Sequence, residues 1–322
     1  MSAVSSVQPG GEGLAPEIAA RSPLQLFWHR LRQDKVAITA LAIVVFMVFV
    51  ALFAPVITSV LGLPDTTTQN TDLLGDFGEP SGPSSAHPMG VDKRGRDVAS
   101  RVIYGARISL TVAFVATALI VVIGVTAGLL AGYYRGKIDT ALSRTMDLFL
   151  AFPVLVLALG LGVACADGCV TIGGKSLIQP GLMVVIFVIT LTGWPYMARI
   201  IRGQVLSLRE REFVEASRSL GARDRRIIFR EILPNLVAPI IVYATILIPT
   251  NILYEAALSF LGVGVDPDKP SWGAMISDAI SIFQDAWWFM FFPGLALLIT
   301  VLAFNIVGDG LQDALNPRKA AK

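Results

Sequence analysis

Residues 108–134 read ISLTVAFVATALIVVIGVTAGLLAGYY, 27 positions without an Asp, Glu, Lys or Arg. As a helix rising ~1.5 Å per residue, such a stretch exceeds the ~30 Å hydrocarbon core of a bilayer. Five other runs of 19 residues or more share the property: 36–64, 148–166, 176–198, 232–254 and 286–308. Lipid offers the backbone no hydrogen-bond partner, so each run must be helical. The expectation is an all-α membrane protein with six transmembrane helices. Six buried helices of a soluble protein would need amphipathic stripes and polar helices around them, and the sequence has neither. Composition agrees. The 322 residues are 54% hydrophobic and 16% charged, against roughly 25% charged in a soluble domain.

Six spans place both termini on one side. That side holds 19 of the 26 Lys and Arg, nine of them arginines between Arg199 and Arg230, and the other side holds seven. The positive-inside rule makes the richer side cytoplasmic. This predicts a multi-pass protein of the plasma (inner) membrane with N- and C-termini inside. Trp287 and Trp288 then fall at the outer end of span six, where aromatic rings favour the interface. The basic residues read as topological anchors and partner contacts, and nucleic-acid binding is not expected.

The segments around the spans divide as follows. Residues 1–22 are polar and read as a disordered cytoplasmic tail with no signal-peptide pattern. Residues 23–35 read as an amphipathic approach helix, followed by the first span at 36–64. Residues 65–107 read as a long outer loop, irregular to Pro88 and compact from His87 to Asp97. Residues 108–311 form a five-helix core, and 312–322 a cytoplasmic tail. In span two, Gly124, Gly128 and Gly132 form a small-residue stripe that predicts close packing of another helix of the bundle. Pro234, Pro239 and Pro249 predict a kinked span five beside a pathway.

Catalytic chemistry has no foothold here. The two histidines, His29 and His87, lie on opposite sides, and no metal-ligand spacing or nucleophile–base motif is present. Gly168-Cys-Val-Thr-Ile-Gly-Gly-Lys-Ser176 approaches a phosphate-binding loop, but Cys169 occupies the position of the first required glycine. No cofactor is expected on this chain. Cys165 and Cys169 at the outer mouth of span three leave two readings, a disulfide in an oxidising compartment or two small residues at a helix end. Asp147 and Glu255, ionisable at membrane depth, read first as interhelical pairs. Asn251, Tyr254 and Glu255 are the candidates for lining a pathway.

The inner loop 199–236 carries the strongest signal. Arg211-Glu-Phe-Val-Glu-Ala-Ser-Arg-Ser-Leu-Gly221 predicts a helix of good formers ended by a left-handed glycine cap. A second short helix at 223–233 follows, and Pro234 opens span five. Glu212, Phe213, Glu215, Ala216, Ser217, Leu220 and Gly221 form the surface expected to enter a groove on another protein. The small Ala216 and Ser217 sit at its centre, and flanking charges would fix register.

This segment resembles the EAA loop of permease subunits in ATP-binding-cassette importers, with Glu215-Ala216-Ser217, Gly221 and Leu233-Pro234 matching. Ser217 replaces the usual second alanine, and Glu231 stands where relatives often carry His. The likeness extends from about residue 23 to 318. His87-Pro-Met-Gly-Val-Asp-Lys-Arg-Gly-Arg-Asp97, Tyr104-Gly-Ala-Arg-Ile-Ser-Leu110, Ala257-Leu-Ser-Phe-Leu-Gly262, Pro270-Ser-Trp-Gly-Ala-Met275 and Gly308 to Arg318 are similar to the dipeptide/oligopeptide permeases, C-type. The resemblance implies the type I importer permease fold and a homologous permease as heterodimer partner. It also implies two ATPase subunits that carry ATP and Mg, and an extracytoplasmic substrate-binding protein. The cargo it implies is a peptide, with nickel, glutathione or haem carried on the same scaffold in other members. A non-transporting membrane scaffold is the competing reading.

Overall fold

The computed structural model describes residues 31–315 apart from positions 77, 173, 174, 265 and 267. Most of the expected approach helix and both outer ends of the chain fall outside those residues. Helices α1 (Lys35–Leu52) and α2 (Ala54–Val60) are followed by α3 (Val98–Tyr134), α4 (Gly136–Leu150) and α5 (Val154–Ala164). A two-stranded antiparallel hairpin, β1 (Cys169–Ile172) and β2 (Lys175–Ile178), pairs Cys169 with Ile178. Then come α6 (Leu182–Leu208), α7 (Glu212–Ser219), α8 (Asp224–Phe260), α9 (Trp272–Ala279) and α10 (Trp287–Leu315).

Five of these helices, α1, α3, α6, α8 and α10, are long and apolar enough to cross a membrane. The sixth expected span, at 148–166, is not one regular helix. It is a bent pair, α4 and α5, turning by 89° at the break. The reason is local. Lys137, Asp139, Arg144 and Asp147 keep α4 out of hydrocarbon, and Pro153 lacks an N–H and drives Phe152 away from helical geometry. Of the pair only α5 is apolar throughout, and its 11 residues rise about 16 Å, half a bilayer core.

Other boundaries also shift. Asp97 caps α3, its carboxylate accepting from Ser100 N at 2.7 Å, so α3 begins ten residues before the expected span and the outer loop ends at Asp97. Phe53 interrupts the first span, with Pro55 in the opening turn of α2. The expected second inner helix does not stand alone. Asp224–Arg226 runs through a π-helical turn at Ile227–Ile232 into the rest of α8. This widened turn sits where Pro234 removes a donor from the ladder. Pro239 and Pro249 lie inside the continuous helix α8 without breaking it.

The core is built on α3 against α6. Ala116, Ile120, Val188, Met197 and Ile201 are buried in one cluster that also takes in Ile232 and Leu236 of α8. A second cluster joins α1 and α10 to α3 through Val44, Ala113, Val301 and Phe304. Outward, Val45, Phe46, Leu52, Val122 and Leu302 stay exposed, an apolar belt suited to lipid. Between such helices tight packing of small residues replaces the hydrophobic drive available in water.

Candidate functional site

One end of the bundle presents α7. Its first turn carries Glu212 and Glu215, which favour the positive helix N-terminus. Gly221 adopts φ +77, and Gly221 N donates to Arg218 O at 2.9 Å while Ala222 N donates to Ser217 O at 3.1 Å. This is a Schellman cap, and it stops the helix sharply. Val214 is fully buried among Ile227, Ile228 and Ile232, so α7 is held from behind by one residue and the π-helical turn. In front, Glu212, Glu215 and Ala216 are exposed, Ser217 is half-buried, Phe213 is 38% exposed and Leu220 is 89% exposed. Phe213 and Leu220 thus stand uncovered on a helix that is pinned from behind.

The base of this loop is tied to the helices that cross the bilayer. Tyr133 at the end of α3 donates its hydroxyl to Asp224 Oδ1 at 2.7 Å. The guanidinium of Arg209 stacks 5.8 Å from the Tyr133 ring and donates to Tyr133 O. Arg202 grips Asp139 of α4 through two bonds of 2.5 and 2.8 Å. Arg199 pairs with Asp147 at 2.7 Å, the interhelical pair expected for that carboxylate, and Arg135 pairs with Glu210. Several of the arginines that set the charge asymmetry are therefore fasteners as well. Tyr133 and Val214 were not marked by sequence, because a tyrosine at a span end and a valine in a helix carry no distinguishing pattern.

Gly124, Gly128 and Gly132 all face α6. A Cβ would come within 2.6 Å of Met197 at the first, 2.7 Å of Ala198 O and Ile201 at the second, and 2.7 Å of Val205 at the third. The stripe lets α3 and α6 meet backbone to backbone along the half of the bundle nearer α7.

The pathway candidates on α8 separate. Asn251 and Tyr254 line a cavity of about 330 Å³ between α6 and α8 with Thr192, Tyr196, Tyr243 and Val154. Asn251 Nδ2 also donates to Thr117 Oγ1 at 2.8 Å. Glu255 is not among the residues lining that cavity. It is 1% exposed and accepts from Ser109 of α3 and Ser259 of its own helix, both at 2.7 Å. This is the interhelical pairing expected of a carboxylate at membrane depth, with hydroxyls as partners.

At the opposite end of the bundle, the charged run after His87 folds into a knot. Asp92 accepts from the backbone N–H of Arg94 and Arg96 at 2.8 and 3.0 Å, and from Arg96 Nε at 2.7 Å. Arg101 lies 3.6 Å from the same carboxylate and donates to Thr66 O. His87 Nδ1 meets Asp97 Oδ2 at 2.8 Å. Trp288 clamps the knot to the bundle, donating to Val91 O at 3.1 Å, while Trp272 ties α9 to α3 by donating to Val102 O at 3.0 Å. Trp288 is thus turned inward, while Trp287 remains 56% exposed as an interfacial ring would. Cys165 and Cys169 are both free thiols. Among the described residues no group of three or more His, Cys, Asp or Glu is placed to hold a metal ion.

Residues 124–321 match the family described as binding-protein-dependent transport system inner membrane component. Residues 22–74 match the N-terminal TM domain of oligopeptide transport permease C. The chain is 39% identical over 97% of its length to the dipeptide transport system permease protein DppC of Alkalihalophilus pseudofirmus, covering 95% of that protein. It is also 39% identical to the oligopeptide transport system permease protein OppC of Bacillus subtilis, over 90% of this chain and 88% of that one. The same identity relates it to the glutathione transport system permease protein GsiD of Pectobacterium atrosepticum, over 93% of each chain. An inward-facing structure of the MetNI methionine ABC transporter shares the fold, with a TM-score of 0.55 and 24% identity over 67% of this chain and 96% of that one. A bundle of apolar helices, a capped helix at one end of it and these relatives agree: the chain belongs to the binding-protein-dependent transport system inner membrane components and is a multi-pass ABC importer permease of the dipeptide/oligopeptide kind.

Proposed function

We propose that this chain carries peptides across the inner membrane as one half of a heterodimeric pathway, driven by two cytoplasmic ATPase subunits and loaded by an extracytoplasmic binding protein. ATP and Mg stay on the ATPases, and the termini of this chain lie inside. The observation that carries the reading is the presentation of α7. It is pinned by Val214 and stopped by Gly221, and it turns Phe213 and Leu220 outward. A helix held this way moves as a unit with Asp224 and α8, so a push on Leu220 becomes a displacement of the crossing helix. The cavity lined by Asn251, Tyr254, Tyr196 and Tyr243 has no charged side chain in its wall. Such a lining suits a passage that does not select by peptide charge. A partner permease completing the enclosure would explain why Tyr196 is 55% exposed.

Cargo is tested by uptake. Cells or vesicles with the full complex should accumulate labelled di- and tripeptides, and removing this chain should abolish the accumulation. Unchanged uptake without it would overturn the proposal. Glutathione is the second reading, favoured by the relative GsiD standing at the same identity as the peptide permeases. Competition by glutathione against a labelled dipeptide decides between them.

A further inference from the structure

Strand β1 opens with Cys169 one residue after a turn that reverses the chain. Gly168 N donates to Cys165 O at 2.8 Å, and Gly168 takes φ +92, a conformation glycine adopts without strain. A Cβ at Gly168 would come within 2.6 Å of Ser176 Oγ, so only glycine fits there. Ser176 in turn donates to the carbonyls of Cys169 and Ile178 at 3.1 and 2.6 Å. The result is a fixed loop whose single reversing turn, closed between Gly168 N and Cys165 O, carries the chain from Cys165 at the end of α5 to Cys169 at the start of β1. Neither takes part in the coupling loop, the outer knot or the cavity.

We propose that Cys165 and Cys169 are a redox-active pair that closes to an intramolecular disulfide, stapling the end of α5 to the β1–β2 hairpin. Their unequal burial assigns the order of events. Cys169 is partly exposed and Cys165 is buried. The Cys169 thiolate attacks the disulfide of an external thiol oxidant, forming a mixed disulfide and releasing one thiol of the oxidant. Cys165 then attacks the Cys169 sulfur and expels the second thiol. The pair loses two protons and two electrons, and the oxidant's disulfide is reduced to two thiols. The outer compartment supplies oxidants of this class, so the proposal rests on the orientation read from the charge asymmetry. The staple would fix the rim where Gly162 of α5 packs so closely on Val263 that a Cβ would fall 2.3 Å from it.

The test treats the full-length chain in detergent with oxidised glutathione and reads its intact mass. The wild type should end two hydrogens lighter with no glutathione attached, and C165S should retain one glutathione on Cys169. A wild type that keeps the adduct, or does not react, overturns the proposal. Orientation is read separately. A membrane-impermeant maleimide should label Cys169 of C165S in right-side-out vesicles. Labelling only in inside-out vesicles would reject the orientation, and with it the oxidising environment that the proposal requires, while the detergent result still reports on the chemistry.

Discussion

The Tyr133 hydroxyl at the C-terminal end of α3 donates to the carboxylate of Asp224, the first residue of α8, at 2.7 Å. One bond therefore links the helix at the centre of the bundle to the segment that supports α7. Tyr133→Phe removes the donor and little else. A bond to a charged acceptor contributes about 1.5–3 kcal/mol, and the partial exposure of this pair places the expected loss near the lower end. The variant should insert normally, and its uptake per inserted molecule should fall severalfold. Quantitative immunoblotting alongside a transport assay checks this.

Gly128 and Gly203 offer a paired test of packing. A Cβ at Gly128 meets Ala198 O and Ile201 at 2.7 Å, whereas Gly203 has open space around it. Gly128→Val should force α3 and α6 apart, at a cost of several kcal/mol by overpacking. Gly203→Ala should be neutral or gain up to about 1 kcal/mol. Thermal unfolding of the two variants in detergent separates the outcomes.

Asp92 stands opposite the nearly buried guanidiniums of Arg96 and Arg101. Asp92→Asn leaves both facing a neutral amide and should destabilise the outer knot by about 3–5 kcal/mol. Limited proteolysis from the outer side should then cut between residues 65 and 97 much faster than in wild type, while the inner loop keeps its wild-type cleavage rate.

Glu255 is held by two serine hydroxyls at 2.7 Å. Glu255→Gln retains a hydrogen-bonding side chain of the same shape and should preserve the fold. Glu255→Leu leaves the buried Ser109 and Ser259 without their acceptor, each at a cost of about 1–3 kcal/mol. Expression yield and unfolding temperature should fall for Leu and hold for Gln.

Much of this architecture is legible in the sequence, and the gaps have physical causes. A charge-free run marks where hydrocarbon must be, which is why α1, α3, α6, α8 and α10 could be placed. The same rule began the second span ten residues too late, because Arg107 and Arg101 both lie inside α3, and Arg101 is accommodated there by Asp92 and Thr66 O, partners that only the folded loop supplies. It drew span three through Pro153, because residues 148–150 are apolar although they end a helix whose earlier turns are charged. The α7 cap was legible because Gly221 has one conformational purpose there. Its anchor was not, since Val214 gains meaning only against the π-helical turn. The hydroxyl partners of Glu255 were hidden for a similar reason, as a serine inside an apolar span alters no charge count.

The central claim is that α7 transmits ATPase movement into the bundle. The direct measurement is peptide uptake and ATP hydrolysis in the same vesicles, made with the reconstituted complex. Glu215→Lys reverses a charge on the exposed face of α7, and Gly221→Pro removes the left-handed cap. Both variants should remain in the membrane, with peptide transported per ATP lowered at least tenfold. Full uptake at the wild-type ratio by both would contradict the account.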